Sequence, residues 1–259
     1  MATQPPANLP LFYNNLVPLQ TGPHANYRQQ QSDRAPFFGK THAVPLTIDE
    51  FVLAQRFYPI VFSVGETSVP LALFGLNEGV NLFVEEDGKL KGDIYVPAYV
   101  RRYPFMLARL TPDAQELSLC FDPESGLVRE GGDGPALFDG DKPSETTNGI
   151  LKFCEEFELS AQRTAAFVKE LQDMDLIMDG EISIQTPEQQ APYVYRGFRM
   201  INEERFRALD GDALHKINQN GILPLIMAHL FSLSHMPNLF GKQLSEGKVP
   251  QPAFAMGNA

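Results

Sequence analysis

The 259-residue chain has no tryptophan and only two cysteines, Cys120 and Cys154. Two cysteines are too few for a disulfide framework or a cysteine-based zinc site. Each sits in an apolar segment, "LSLCFD" and "LKFCEEF", which is how buried reduced thiols read. A cytoplasmic location is the simplest consequence. Positive charge is also scarce: 21 Lys and Arg stand against 32 Asp and Glu, for a formal net charge of −11. Nucleic-acid binding needs clustered basic residues, and no basic run exists, so nucleic acid is not an expected partner. The N-terminus "MATQPPANLPLFYNN" has neither the basic nor the apolar region of a signal peptide. The longest nearly uncharged stretch, Gly221 to Phe240, holds a continuous apolar part of only about a dozen residues, short of the roughly 18 a membrane span needs. It is read as a buried helix, not as a membrane span. There is no GxGxxG, no Walker loop and no G-x-S-x-G elbow, so nucleotide binding and serine hydrolysis by those devices are disfavoured.

What is present is a soluble α+β pattern: an antiparallel sheet in the N-terminal half and a mainly helical C-terminal half. Residues 1–44 are rich in Pro, Gln and Asn and read as an extended arm. Residues 45–240 form a single unit, sheet-rich over 59–122 and helical over 146–240, and 241–259 form a tail. Thr47 with Glu50 three residues on has the capping-box arrangement, and the helix it starts ends near Tyr58, before Pro59. "PIVFSV", "VPLALFGL", "NLFV", "DIYVPAYV" and "LSLCFD" are short β-rich runs separated by turn residues. "NLFVEEDGKLKGDIYV" predicts a hairpin about Asp87-Gly88. Residues 122–146 are a polar, glycine-rich loop with "ALF" anchored inward. Beyond it, 3.6-residue periodicity in two phases predicts two helices or one bent helix closing at Gly180. "EISIQT" reads as a further strand. "GDALHKINQNG" reads as a short helix capped by Asp212, and an apolar helix follows from about Leu223 to Ser234.

The conspicuous segment is "YVPAYVRRYPF", Tyr95 to Phe105. Two arginines sit in an apolar, aromatic context. In a regular strand neighbours face opposite sides, so one of Arg101 and Arg102 faces solvent or an edge. The other enters the aromatic layer of Tyr95, Tyr99, Tyr103 and Phe105. A buried guanidinium keeps its charge and needs an acceptor. One reading is an internal salt bridge with stacking on tyrosine. A second is a bidentate clamp on a ligand carboxylate or phosphate, and a third is contact with a partner protein. His24, His42, His215, His229 and His235 show no i, i+4 pair, and no metal site follows from them. His229 lies in the apolar helix, where a hydrogen-bonded core histidine is the plain expectation. The acidic loops "VEEDGK" and "GDGPALFDGDK" lack the spacing of a calcium loop.

The ordered blocks "VPLTIDEF", "YPIVFS", "ALFGLNEGVNLFV" and "YVPAYVRRYPFMLA", with later "LFD" and "AHLFSL", resemble the SapC family from roughly His24 to Leu239. NLFV and RRYPF are the specific part. The resemblance implies a bacterial protein tied to a surface layer or to a modification pathway. Such proteins are encoded near flavin-dependent halogenase-like proteins, cupin-like proteins and outer-membrane receptors. It transfers no catalytic residue, and where the family carries D-G-x-W this chain has Leu90. Bringing the blocks together, the expected ligand-binding set is Arg101, Arg102, Tyr103, Asn81, Tyr99, His24 and His229. The expected function is non-catalytic: an accessory protein that holds a small acidic ligand or a peptide or protein partner, without cofactor. A homodimer is compatible with it, as is display at the cell surface by a non-classical route. The alternative is an enzyme of amino-acid or peptide modification, using His24 or His229 beside the arginines, with iron the metal it would call on.

Overall fold

The computed structural model describes residues 9–111, 113–114, 116–186 and 192–249. The N-terminal arm supplies β1 (Val17–Pro18), α1 (Thr21–His24) and β2 (Tyr27–Gln29). Next come β3 (Ala43–Pro45), α2 (Phe51–Ala54), β4 (Ile60–Ser63) and β5 (Pro70–Leu73). A single helical turn, α3 (Ala98–Arg101), leads into β6 (Phe105–Ala108) and β7 (Ser118–Phe121). The segment that follows holds β8 (Val128–Glu130), β9 (Phe138–Asp139) and β10 (Lys142–Pro143). Then come the long helix α4 (Glu145–Asp173), β11 (Ile177–Ile184) and β12 (Tyr193–Ile201). The chain continues through α5 (Glu203–Arg207), α6 (Gly211–Gln219), α7 (Ile222–Ser232) and α8 (Met236–Ser245).

The protein is α+β, with antiparallel sheets and most of its helix toward the C-terminus. The main sheet is antiparallel, in the order β11-β12-β4-β5-β3. It joins the early runs to a hairpin from the second half. Phe198 lies opposite Ser63, and Val61 opposite Leu71. The second half is therefore less purely helical than its periodicity suggests. A smaller sheet, β1-β7-β6, and the pair β2-β8 tie the arm to the body. The segment 122–146 is shorter of loop than expected, because β8, β9 and β10 form within it. Its Leu137 and Phe138 are buried, as the "ALF" reading anticipated.

Several local signals act as read. Thr47 and Glu50 form the capping box. The Asp87-Gly88 turn is present, with Gly88 at a φ of 88° that suits glycine. Its flanks pair only through the single bridge of Val84 with Leu90, so the hairpin is minimal. Other expectations are corrected. Helix α4 is one 29-residue helix that ends at Asp173 and not at Gly180. The chain reverses at Asp175, in the left-handed region at φ 54°. Gly180 sits mid-strand because a Cβ there would meet the Phe198 ring at 2.2 Å. The cap of α6 is Asp210, which accepts from the Ala213 amide, and not Asp212.

Residues Ile222–Ser245 form a continuous helical stretch of 24 residues, longer than the apolar run suggested and, by length and composition alone, long and apolar enough to span a membrane. In this fold α7 packs on β4 and β12. Ile222, Ile226, Ala228, His229 and Ser232 of α7, with Met236, Leu239 and Phe240 of α8, are buried. Ser232 bonds this helix to the sheet by accepting from the Ile60 amide at 2.9 Å.

Candidate functional site

The segment "DIYVPAYV" is not a strand. Its tyrosines and valines favour β structure, but Pro97 stands at the N-cap of α3 and a remote carboxylate fixes the first turn. Glu50, buried at 4% exposure, accepts from the Ala98 amide at 2.6 Å and the Tyr95 hydroxyl at 3.0 Å. Its other oxygen accepts from the amide and hydroxyl of Thr47, both at 2.9 Å. A four-residue helix has almost no stability of its own, so this capping carboxylate sets where the arginines begin.

Helical rotation, and not strand alternation, then separates the two arginines. Arg101 is exposed. Its Nε donates to the Val96 carbonyl at 3.0 Å and its Nη2 to the Tyr95 hydroxyl at 3.3 Å. Arg102 is buried at 6% exposure. Its guanidinium lies between two rings, 4.4 Å from the Tyr99 centroid and 4.2 Å from that of Phe157. Nη1 donates to Glu158 Oε1 at 3.3 Å, so the internal ion pair and ring stacking weighed from the sequence are both present here. That contact is longer than the roughly 2.7–2.9 Å of a good charge-assisted bond. Nε is buried and finds no acceptor among the described residues, which costs about 1–3 kcal/mol.

Both arginines line one cavity of about 260 Å³, with Gln29, Phe105, Thr146, Gly149, Ile150, Phe153 and Cys154 completing its wall. Thr146 lies in the first turn of α4, where the helix dipole favours negative charge, and Gly149, Ile150, Phe153 and Cys154 follow over the next two turns. Burial pushes the Cys154 thiol up to about 11, although Arg102 opposes the shift. The thiol is therefore protonated at neutral pH, and a thiol is a weak nucleophile.

The other side of the RRYPF segment borders a second, larger cavity of about 680 Å³. Its wall includes Gln29, Gln31, Ser32, Phe37, Val100, Tyr103 and Pro104. Tyr103 packs on Phe37 at 4.2 Å between centroids. Its hydroxyl donates to Asp122 at 3.4 Å, and burial, followed by the Asp122 charge, pushes its pKa up to about 12. The N-terminal arm is latched beside it. Tyr13 donates to the Phe105 carbonyl at 2.7 Å and Tyr99 to that of Leu11 at 3.2 Å. Asp122 also accepts from the Asn14 amide at 2.8 Å. Phe12 sits at a φ of 81°, an outlier for a bulky residue. Ring contacts with Phe37, Phe38, Tyr99 and Tyr103 hold it there.

The remaining predicted residues lie apart from this wall. Asn81 is buried and fully engaged: Nδ2 donates to the Phe38 and Thr41 carbonyls, and Oδ1 accepts from the Phe83 amide. It is a loop staple. Asn81→Asp should keep the acceptor, face two carbonyls with a carboxylate, and lower stability by about 2 kcal/mol in urea unfolding. His24 packs edge-on against Tyr27 and Phe121, and its Nδ1 accepts from the Gln20 amide. Burial lowers its pKa. His229 is sealed behind the main sheet and lines neither cavity. Among the described residues no three His, Cys, Asp or Glu converge as a metal would require. Sequence reading missed Gln29, Thr146 and Glu158. No local pattern marks them, since two elements far along the chain bring them to the arginines.

No curated protein and no solved structure matches the chain. The SapC family model, however, matches residues 19–239. That range takes in the capping box, the NLFV and RRYPF blocks, both cavities and helix α7, and with most of the chain so covered, this protein belongs to the SapC family.

Proposed function

We propose that the protein is a non-catalytic binding or accessory component that holds an acidic ligand or partner segment in the Arg101–Arg102 cavity. One observation carries the reading. Two guanidiniums line the same cavity, and the fold neutralises neither fully: Arg102 meets Glu158 only at 3.3 Å, and Arg101 donates to a carbonyl and a phenol, neither of them charged. The surroundings support gripping over bond cleavage. No His, Asp or Glu stands in the cavity wall to act as a base, and Cys154 is held protonated. The apolar rings of Phe105 and Phe153 lower the local dielectric, which strengthens an arginine–carboxylate pair.

Membership of the SapC family supports, as the setting we propose for this role, a surface-layer or peptide or amino-acid modification system of a bacterium. Buried free Cys120 and Cys154 suit a reducing compartment, so the reading is of a cytoplasmic helper. Recovery of the protein with the cell envelope after fractionation would overturn that part.

Thermal shift against 10 mM glutamate, succinate and inorganic phosphate tests the site. At about 100 times its dissociation constant a ligand adds about 2.7 kcal/mol, or several degrees in Tm for a chain of this size. We expect a carboxylate to give such a shift in the wild type and not in Arg101→Gln or Arg102→Gln. A shift that survives both substitutions, or no shift with any of the anions, removes the assignment.

A further inference from the structure

The two cavities share a wall and a corner. Val100, Tyr103 and Pro104 face the larger one, while Arg101, Arg102 and Phe105 face the smaller. Gln29 lines both. Beyond Gln29, where β2 ends, the chain runs on past the larger cavity as Gln30, Gln31, Ser32 and Asp33. The Gln30 amide is bonded to the Leu127 carbonyl. The amides of Gln31, Ser32 and Asp33 donate to no carbonyl among the described residues. All three residues are exposed. The Gln30 side chain is spent on Arg28, Gly131 and Arg129 and fixes this segment from behind.

We infer that the ligand is an extended peptide whose backbone lies along Gln31–Asp33 and whose acidic side chain reaches past Gln29 into the arginine cavity. This rests on the anion-binding reading of the cavity and narrows it to a class. Gln31–Asp33 is coil between β2 and the bridge of Arg34 with Lys89, and exposed amides of this kind can take main-chain bonds from an extended peptide, which give affinity while side-chain pockets give selectivity. The two volumes divide the work accordingly. The larger cavity, walled by glutamines and by the rings of Phe37 and Tyr103, takes main chain and mixed side chains. The smaller cationic one takes a carboxylate at its end. A small free acid would use only the second, and the larger cavity that shares Gln29 with it would have no role.

Two hexapeptide pools test this, both acetylated and amidated at their ends. One carries glutamate fixed at the third position, the other glutamine. They are passed over immobilised full-length protein and counted by mass spectrometry. We expect at least tenfold greater retention of the glutamate pool, falling to parity with Arg101→Gln. Gln31→Pro removes one free amide and no side-chain bond. It should lower glutamate-pool retention at least fivefold and leave the thermal shift with succinate unchanged. If succinate stabilises the protein in an Arg101-dependent way while both pools are retained alike, the ligand is a small acid; the peptide assignment falls and the anion site stands. If neither pool nor any small acid binds, both fall. If Gln31→Pro leaves the retention intact, the peptide does not bond to this segment and the peptide assignment falls.

Discussion

Glu50→Ala should lower stability by at least about 4 kcal/mol in urea unfolding, a large part of the 5–15 kcal/mol that holds a typical domain. The carboxylate is 4% exposed and accepts four hydrogen bonds. Removing it leaves the Thr47 amide and hydroxyl, the Tyr95 hydroxyl and the Ala98 amide without their acceptor. Each such orphan costs about 1–3 kcal/mol. Glu50→Gln keeps the volume but turns one acceptor into a donor facing donors, and about 2 kcal/mol is expected for it. The site should suffer with the fold. Ala98 is the first residue of the turn that carries Arg101, and Tyr95 receives Arg101 Nη2 at 3.3 Å. Glu50→Gln should therefore weaken ligand binding even where the protein is fully folded. A loss below about 1 kcal/mol for Glu50→Ala would mean that water replaces the carboxylate, and that α3 does not depend on it.

The same carboxylate shows which parts of the fold are legible in the sequence. The capping box of Thr47 and Glu50 is a local i, i+3 pattern and was readable. That the second Glu50 oxygen also caps a helix 48 residues later is a long-range fact. Without it, "DIYVPAYV" has the composition of a strand, and local propensity points the wrong way. The buried runs "PIVFSV" and "VPLALFGL" gave β4 and β5 because a continuous apolar segment between turns has few other destinations. Strands β11 and β12 were mostly hidden. Their alternation is broken by Asp179, Gly180, Arg196 and Gly197, and the register shifts between Gly180 and Ile182. What commits them to the sheet is pairing with β4 more than a hundred residues earlier.

The arginine pair divides in the same way. That one would be out and one in was deducible, because adjacent residues diverge in a helix as in a strand. That Arg102 would lie between Tyr99 and Phe157, with Glu158 on one nitrogen, was not. Phe157 and Glu158 arrive from α4, and only their packing against α3 makes them neighbours. Asn81 enters the expected set through the NLFV block, and His229 as a histidine in the apolar helix. Both found partners in backbone groups. A buried polar residue predicts a hydrogen bond reliably, but its sequence does not say whether the partner is the protein or a ligand.

His229 carries the second large prediction. Its Nε2 accepts from the Ile201 amide at 3.1 Å, so the neutral ring holds its hydrogen on Nδ1, which is buried and makes no hydrogen bond of good geometry among the described residues, the Ile60 backbone only partly offsetting burial. The ring packs on Phe62 at 5.1 Å. Protonation would both break the bond to Ile201 and place a charge inside this apolar layer. Burial accordingly pulls the pKa down from 6.5 to about 3. The folded value lies below the unfolded one, so on acidification the unfolded chain takes up the proton first. The contribution of neutral His229 is complete above about pH 6.5 and is lost progressively as pH falls toward 3, at up to about 1.4 kcal/mol per unit. Between pH 7 and pH 4 this amounts to about 3 kcal/mol. His229→Gln retains an acceptor for Ile201 and has nothing to titrate. Urea unfolding of both proteins at pH 7, 5.5 and 4 should show the wild type losing about 3 kcal/mol more than the variant. Parallel curves would mean that the unfolded and folded states bind this proton alike, and that the ring is not sealed against the sheet.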